Sequence, residues 1–161
     1  HTRPAPVVTS SAPAKPQPTG PDYLLVDGYN VIFAWDELRK MAETNLDAAR
    51  RRLMDILCNY AGYRKCVPIL VFDAYRVKGA GREQETWHNL HVIYTREAET
   101  ADMFIERATH ELAKNHRVRV VSSDGAEQII ILGNGALRVS ARAFEREVRA
   151  VEAEIREFLD Q

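Results

Sequence analysis

Four aspartates stand at the ends of apolar runs or at the head of a helical stretch, and their placement is the main chemistry this sequence offers. Asp27 follows Tyr23-Leu24-Leu25-Val26, and Asp73 follows Pro68-Ile69-Leu70-Val71-Phe72. Asp124 follows Val118-Arg119-Val120-Val121 and two serines, while Asp102 comes two residues after Thr100 and opens an amphipathic segment. One carboxylate after a strand is commonly a turn or cap residue, because Asp starts turns and caps helices. Four at matching topological points would gather at one rim of a parallel sheet. Two carboxylates about 5 Å apart repel by roughly 3 kcal/mol at an effective dielectric near 20. A bound divalent cation removes that repulsion, and Mg²⁺ or Mn²⁺ held by oxygen ligands handles phosphate oxygens. The pattern points to a metal-dependent enzyme acting on phosphodiesters.

The elements that must position these carboxylates are legible as alternating patterns. Short apolar runs predict strands at Tyr23–Val26, Pro68–Phe72, His91–Tyr94 and Val118–Val121. Leu46, Ala49, Leu53, Leu57 and Tyr60 recur at helical spacing, so Asn45–Tyr63 is read as an amphipathic helix capped by Thr44 or Asn45. Thr100 caps a second helix reaching about Asn115, and Ser140 caps a third that carries Phe144, Val148, Val151, Ile155 and Leu159. A short helix is expected over Ala126–Leu132, an edge strand at Leu137–Val139, and a polar loop over Val77–Asn89 around Gly79 and Gly81. Strands alternating with helices predict an α/β fold: a mainly parallel sheet with helices on both faces. Ligands in such sheets bind outside the carboxyl ends of the strands, where Asp27, Asp73 and Asp124 fall.

The chain has 161 residues, enough for one domain with a sizeable core and too few for two ordinary ones. Its formal net charge is -1, from 22 Lys+Arg and 23 Asp+Glu, so no global charge announces a nucleic-acid partner. A basic groove beside an acidic site averages to the same figure. Cys58 and Cys66 lack metal-type spacing and read as reduced thiols of a cytoplasmic protein. No apolar run approaches the roughly 18 residues of a membrane span, and no membrane partner is expected. Residues 1–21 hold six of the seven prolines among Ser, Thr and Ala, and are expected to be a disordered Pro-rich linker ahead of a domain over 22–161. Because the chain opens on His1, a processed or excised piece is expected, with a cloning remnant as the competing explanation.

Further residues have two readings each. Asn30 is either an ordinary cap or an amide that orients a carboxylate, water or phosphate. Thr100 and Ser123 bring hydroxyls to the rim and equally serve as caps, while Glu99 and Glu127 suit a solvated face better than outer ligation. Arg76, Lys78 and Arg82, with Trp87 and His88 following, suit single-stranded RNA through phosphate contacts and base stacking; a solvated loop with Trp87 tucked against the core fits equally. Arg138, Arg142, Arg146 and Arg149 are spaced to grip RNA, although Glu145, Glu147 and Glu152 beside them favour ion pairing. His88 and His91 lack the further ligands of a zinc site, and no Walker A sequence occurs.

Taken together, Val26-Asp27-Gly28-Tyr29-Asn30, Phe72-Asp73-Ala74, Glu99-Thr100-Ala101-Asp102, Ser122-Ser123-Asp124 and Gly135-Ala136-Leu137-Arg138 resemble the NYN domain family in its YacP-like branch. The likeness runs from about Asp22 to the C-terminus. It implies a PIN-like, Rossmann-like α/β nuclease domain with an acidic pocket that uses Mg²⁺ or Mn²⁺ to cut RNA. By the same resemblance Asp27 and Asp102 are the core metal ligands, and Asp73 and Asp124 complete or flank the pocket. It further implies mRNA as substrate in a ribosome-associated setting, with an upstream translation-GTPase-like domain in some longer chains. The loop from Tyr75 to His88 departs from the shared motifs. The rival readings are a catalytically weak RNA- or ribosome-binding module, and a metal-dependent phosphatase for small esters.

Overall fold

The computed structural model describes residues 20–73, 84–122, 130–131, 133 and 135–161. The chain runs β1 (Tyr23–Asp27), α1 (Gly28–Ala34), α2 (Asp36–Thr44), α3 (Leu46–Arg64), β2 (Val67–Phe72), β3 (Gln84–Trp87) and β4 (Leu90–Tyr94). It continues with α4 (Ala101–Leu112), β5 (Val118–Ser122), β6 (Ile130–Ile131), β7 (Leu137–Ser140) and α5 (Ala141–Leu159). The seven strands form one sheet in the order β3-β4-β2-β1-β5-β7-β6. Strands β4, β2, β1, β5 and β7 are parallel, and β3 and β6 pair antiparallel at the two edges.

Register brings the carboxyl ends of the central strands level. Asp27 lies opposite Val71 and Val26 opposite Val121, so Asp27, Asp73 and Ser122 come to one rim. Strand side chains alternate between faces, and the alternation sorts the core into two layers. Leu24, Val26, Leu70, Phe72 and Val121 pack with α1, α2, α3 and α5, while Leu25, Val71, Val118 and Val120 pack with Ala101 and Ile105 of α4. Asp27, Asp73 and Ser122 continue the second set, so parity puts them on the face that α4 covers.

Strand β1 passes into α1 without a loop, which requires a very close approach. A Cβ on Gly28 would lie 2.3 Å from Cε1 of Phe72, so glycine alone lets α1 start against β2. Behind the sheet, Arg119 of β5 makes a two-pronged ion pair with Glu147 of α5 at 2.7 and 2.9 Å, joined by the Tyr60 hydroxyl. The Trp35 indole donates to the Ala141 carbonyl at 2.8 Å, fixing the start of α5 to the end of α1.

Most predicted elements form, and the Asn45, Thr100 and Ser140 side chains all accept capping hydrogen bonds. Three expectations need correction. Gln84–Trp87, read as loop, is edge strand β3, joined to β4 by a two-residue turn at His88 and Asn89. Ile130–Ile131, expected to be helical, is strand β6; residues 126–129 and 132 lie outside the described residues. Strand β7 is internal rather than an edge strand, because β6 covers it. The sequence signalled only a helix-like start at Asn30, where the structure has the two helices α1 and α2. The proposed linker, up to residue 19, lies outside the described residues.

Candidate active site

Asp27 is the last residue of β1 and the N-cap of α1, and it is 5% exposed. Its Oδ2 accepts a 2.6 Å hydrogen bond from the Asn30 amide Nδ2, and its Oδ1 faces the Asn30 backbone N–H at 3.4 Å. The cap of α1 is thus Asp27 and not Asn30, and of the two readings of Asn30 the one observed is the amide that orients a carboxylate. Asp73 lies one residue beyond β2, and its Oδ1 accepts the backbone N–H of Ala101 at 2.6 Å. Thr100 caps the same helix by accepting from Met103 at 3.1 Å. Asp73 and Thr100 together satisfy two of the orphan donors at the head of α4, whose positive dipole end favours nearby carboxylates. Asp102, in that first turn, is exposed.

Electrostatics ties the three carboxylates together. Burial holds the Asp27 carboxyl above its ordinary range, against the hydrogen bonds from Asn30, and the charges of Asp73 and Asp102 push the same way. Such a group keeps its negative charge at a cost that a nearby cation would offset. The donors are all oxygen, which suits Mg²⁺ or Mn²⁺. Among the described residues no three His, Cys, Asp or Glu side chains lie close enough to hold an ion by themselves. Asp124 lies outside the described residues.

Residues 24–161 match the YacP-like NYN domain family. The chain belongs to that family. It is 43% identical over 135 residues to the protein YacP of Bacillus subtilis (strain 168), covering 83% of this chain and 79% of the relative. The crystal structure of Rae1 (YacP) from Bacillus subtilis superposes with a TM-score of 0.72 at 41% identity, covering 86% of this chain and 80% of that one. A mutant of the same protein gives 0.69 at 40% identity, over 84% and 80% of the two chains. The α/β architecture matches as well. NYN domains are PIN-like nucleases, generally dependent on divalent metal, so this YacP-like domain has an RNase-type function class and RNA as its substrate class.

The other candidate residues of this YacP-like domain divide by position. Arg138 of β7 donates from Nε to the Ser122 hydroxyl at 2.9 Å and lines one groove with Asp102. Trp87 belongs elsewhere. It pairs with Leu90 at the amino end of β4, level with Pro68, about 16 Å along the strand direction from Asp73. Its ring packs on the larger core layer, so the tucked placement is the one observed and the fold does not bring it to the acidic rim. Arg76, Lys78 and Arg82 lie outside the described residues. Arg149 pairs with Glu37 and Glu152 at 2.9 Å each, and Glu99 pairs with Arg107. The sequence reading missed Glu106, Thr109 and Ser122, which line the groove beside Asp102. The signal was present: Asp102 and Glu106 are like charges four apart on one helix, which is unfavourable without a purpose. Among the described residues no helix is long and apolar enough to cross a membrane.

Proposed function

We propose that this domain is a metal-dependent endoribonuclease that hydrolyses RNA phosphodiesters, with mRNA on the ribosome as its working substrate. The observation that carries the reading is Asp27, buried, oriented by Asn30 and sensing the charges of Asp73 and Asp102 at one sheet rim. Asp27 and Asp102 would hold the ion, with Asp124 as a further ligand. Asp73 acts on the helix that carries Asp102, fixing its first turn through the Ala101 N–H. When bound, Mg²⁺ or Mn²⁺ neutralises charge on the scissile phosphate and lowers the pKa of a water. Water attacks phosphorus in line as the bond to the 3′ oxygen breaks. That oxygen takes up a proton, leaving a 5′-phosphate and a 3′-hydroxyl. No covalent enzyme intermediate is required.

The ribosomal setting rests on the family resemblance and on charge. A chain of net charge -1 has no excess of cations with which to grip free RNA, and phosphate contacts supply most non-specific affinity. A larger assembly that presents the strand would supply what the domain lacks. An upstream translation-GTPase-like domain and a cytoplasmic location belong to the same proposal. The test is cleavage of an end-labelled RNA with Mg²⁺, with Mn²⁺ and with EDTA, beside a generic phosphate ester. Metal-dependent RNA cleavage without ester turnover supports the reading, and ester turnover alone would make the domain a phosphatase.

A further inference from the structure

Beside Asp102 a groove of about 290 Å³ runs between α4 and the β5–β7 part of the sheet. Its size is near the lower end of small-molecule sites, which start at about 300 Å³, and leaves room for one planar base. Ile105 of α4 and Val120 of β5 form apolar walls. Polar groups are Asp102 and Glu106 from α4, Arg138 from β7 with the Ser122 hydroxyl that it holds, and Thr109, which is 2% exposed. The Thr109 Oγ1 is buried and has no hydrogen-bond partner among the described residues. A buried hydroxyl left unpaired is unfavourable, so a groove lined by one is built to be completed by something else.

We infer that this groove is a base-recognition subsite that selects guanine in the RNA strand next to the cleaved phosphate. The inference rests on the nuclease reading above for its place in the reaction, while the binding it describes is independent of catalysis. An ionised carboxylate only accepts hydrogen bonds. Guanine is the one standard base whose Watson–Crick edge puts two donors side by side, N1–H and the N2 amino group, matching the two oxygens of Glu106. Adenine and cytosine set a ring-nitrogen acceptor beside their amino group, and uracil flanks its single N–H with two carbonyls. Each would turn an acceptor towards the carboxylate. The groove's cation, Arg138, suits the opposite side of guanine, where O6 and N7 are acceptors. Thr109 supplies a further hydrogen bond, and Ile105 and Val120 cover the faces of the ring. Such recognition needs an unstacked, single-stranded base.

The experiment is an NMR titration of the whole chain in EDTA with 5′-GMP, 5′-AMP, 5′-CMP, 5′-UMP and ribose 5-phosphate. The expected result is about tenfold tighter binding of GMP than of the other three, with shifts centred on residues 105–109 and 138. Glu106→Gln should remove the preference, and Thr109→Val should weaken GMP binding about fivefold. Both exchanges are near-isosteric at a groove lining, and melting curves confirm the fold. Equal binding of the four nucleotides, binding of ribose 5-phosphate as tight as GMP, no binding at all, or an intact preference in Glu106→Gln would each overturn the inference. Guanine preference in EDTA without any metal-dependent cleavage would keep the subsite and remove the nuclease reading; cleavage without the preference would do the reverse.

Discussion

Two carboxylates of the site should affect stability in opposite directions, although their charges are alike. Asp73 accepts the Ala101 N–H at 2.6 Å and so holds the head of α4. Replacing it with alanine removes a charge-assisted hydrogen bond worth about 1.5–3 kcal/mol and a favourable helix-end interaction of about 0.3–1 kcal/mol. Relief of the repulsion felt by Asp27 offsets part of this, for a net loss of about 2 kcal/mol. At about 3 °C per kcal/mol for a domain of this size, the metal-free Tm should fall by about 6 °C. Asp27→Asn runs the other way, because the buried Asp27 charge opposes folding while asparagine keeps an oxygen for Asn30. A gain on the order of 1 kcal/mol, or about 3 °C, is expected at pH 7 in EDTA. The sign follows from proton linkage. Asp27 has a higher pKa folded than unfolded, so its charge is destabilising above the folded pKa and harmless below the unfolded one. The gain should therefore shrink as pH falls through the acid range and vanish once wild-type Asp27 is protonated in both states. Thermal melts of the three proteins in EDTA at several pH values decide the matter. A fall in Tm for Asp27→Asn, or no fall for Asp73→Ala, would refute the division of roles.

Three further outcomes can be checked with less apparatus. Burial works to raise the Glu147 carboxyl, yet bonds from Arg119 and Tyr60 bring it below its ordinary range, so its contribution is present above the unfolded pKa and lost as pH falls through the lowered one. Glu147→Gln should cost about 2 kcal/mol in urea melts at pH 7, less than for a fully buried pair because both side chains remain 30% exposed, and the deficit should shrink in acid. A chain beginning at Asp22 should melt within about 1 °C of the full chain, since the removed proline-rich residues offer almost nothing to a core, and loss of folding would disprove the linker assignment. Cleavage of one message should be much faster while it is translated than when free in buffer, at equal enzyme and metal; equal rates would remove the ribosome from the account.

The core of the fold was readable because buried parallel strands and amphipathic helices leave regular patterns. Tyr23–Val26 and Pro68–Phe72 are continuous apolar runs, and Asn45, Thr100 and Ser140 mark helix starts by residue type. The hairpin β3–β4 was hidden for two reasons. Its strand Gln84-Glu85-Thr86-Trp87 is polar, as an exposed edge strand tends to be, and its turn puts His88 at φ 58° in place of the usual glycine or asparagine. Helix α3 likewise ends on Lys65 at φ 58°, without the glycine that would have announced it. In the site, the rim position of Asp27 and Asp73 followed from strand ends alone. The bond from Ala101 to Asp73 spans 28 residues and depends on how α4 docks, which no local pattern encodes. Trp87 misled because basic and aromatic neighbours in sequence do not specify which end of a strand they occupy.

The most direct test of the central claim is single-turnover cleavage of one end-labelled RNA by wild type, Asp27→Asn and Asp102→Asn, each folded by its melting curve, with Mg²⁺ or Mn²⁺ and with EDTA. The account predicts cleavage by wild type only with metal, products bearing a 5′-phosphate and 3′-hydroxyl, and loss of at least about 100-fold in either variant, on the order of a lost electrostatic contribution at a reacting centre. Cleavage that persists in EDTA, or wild-type rates in either variant, would contradict it.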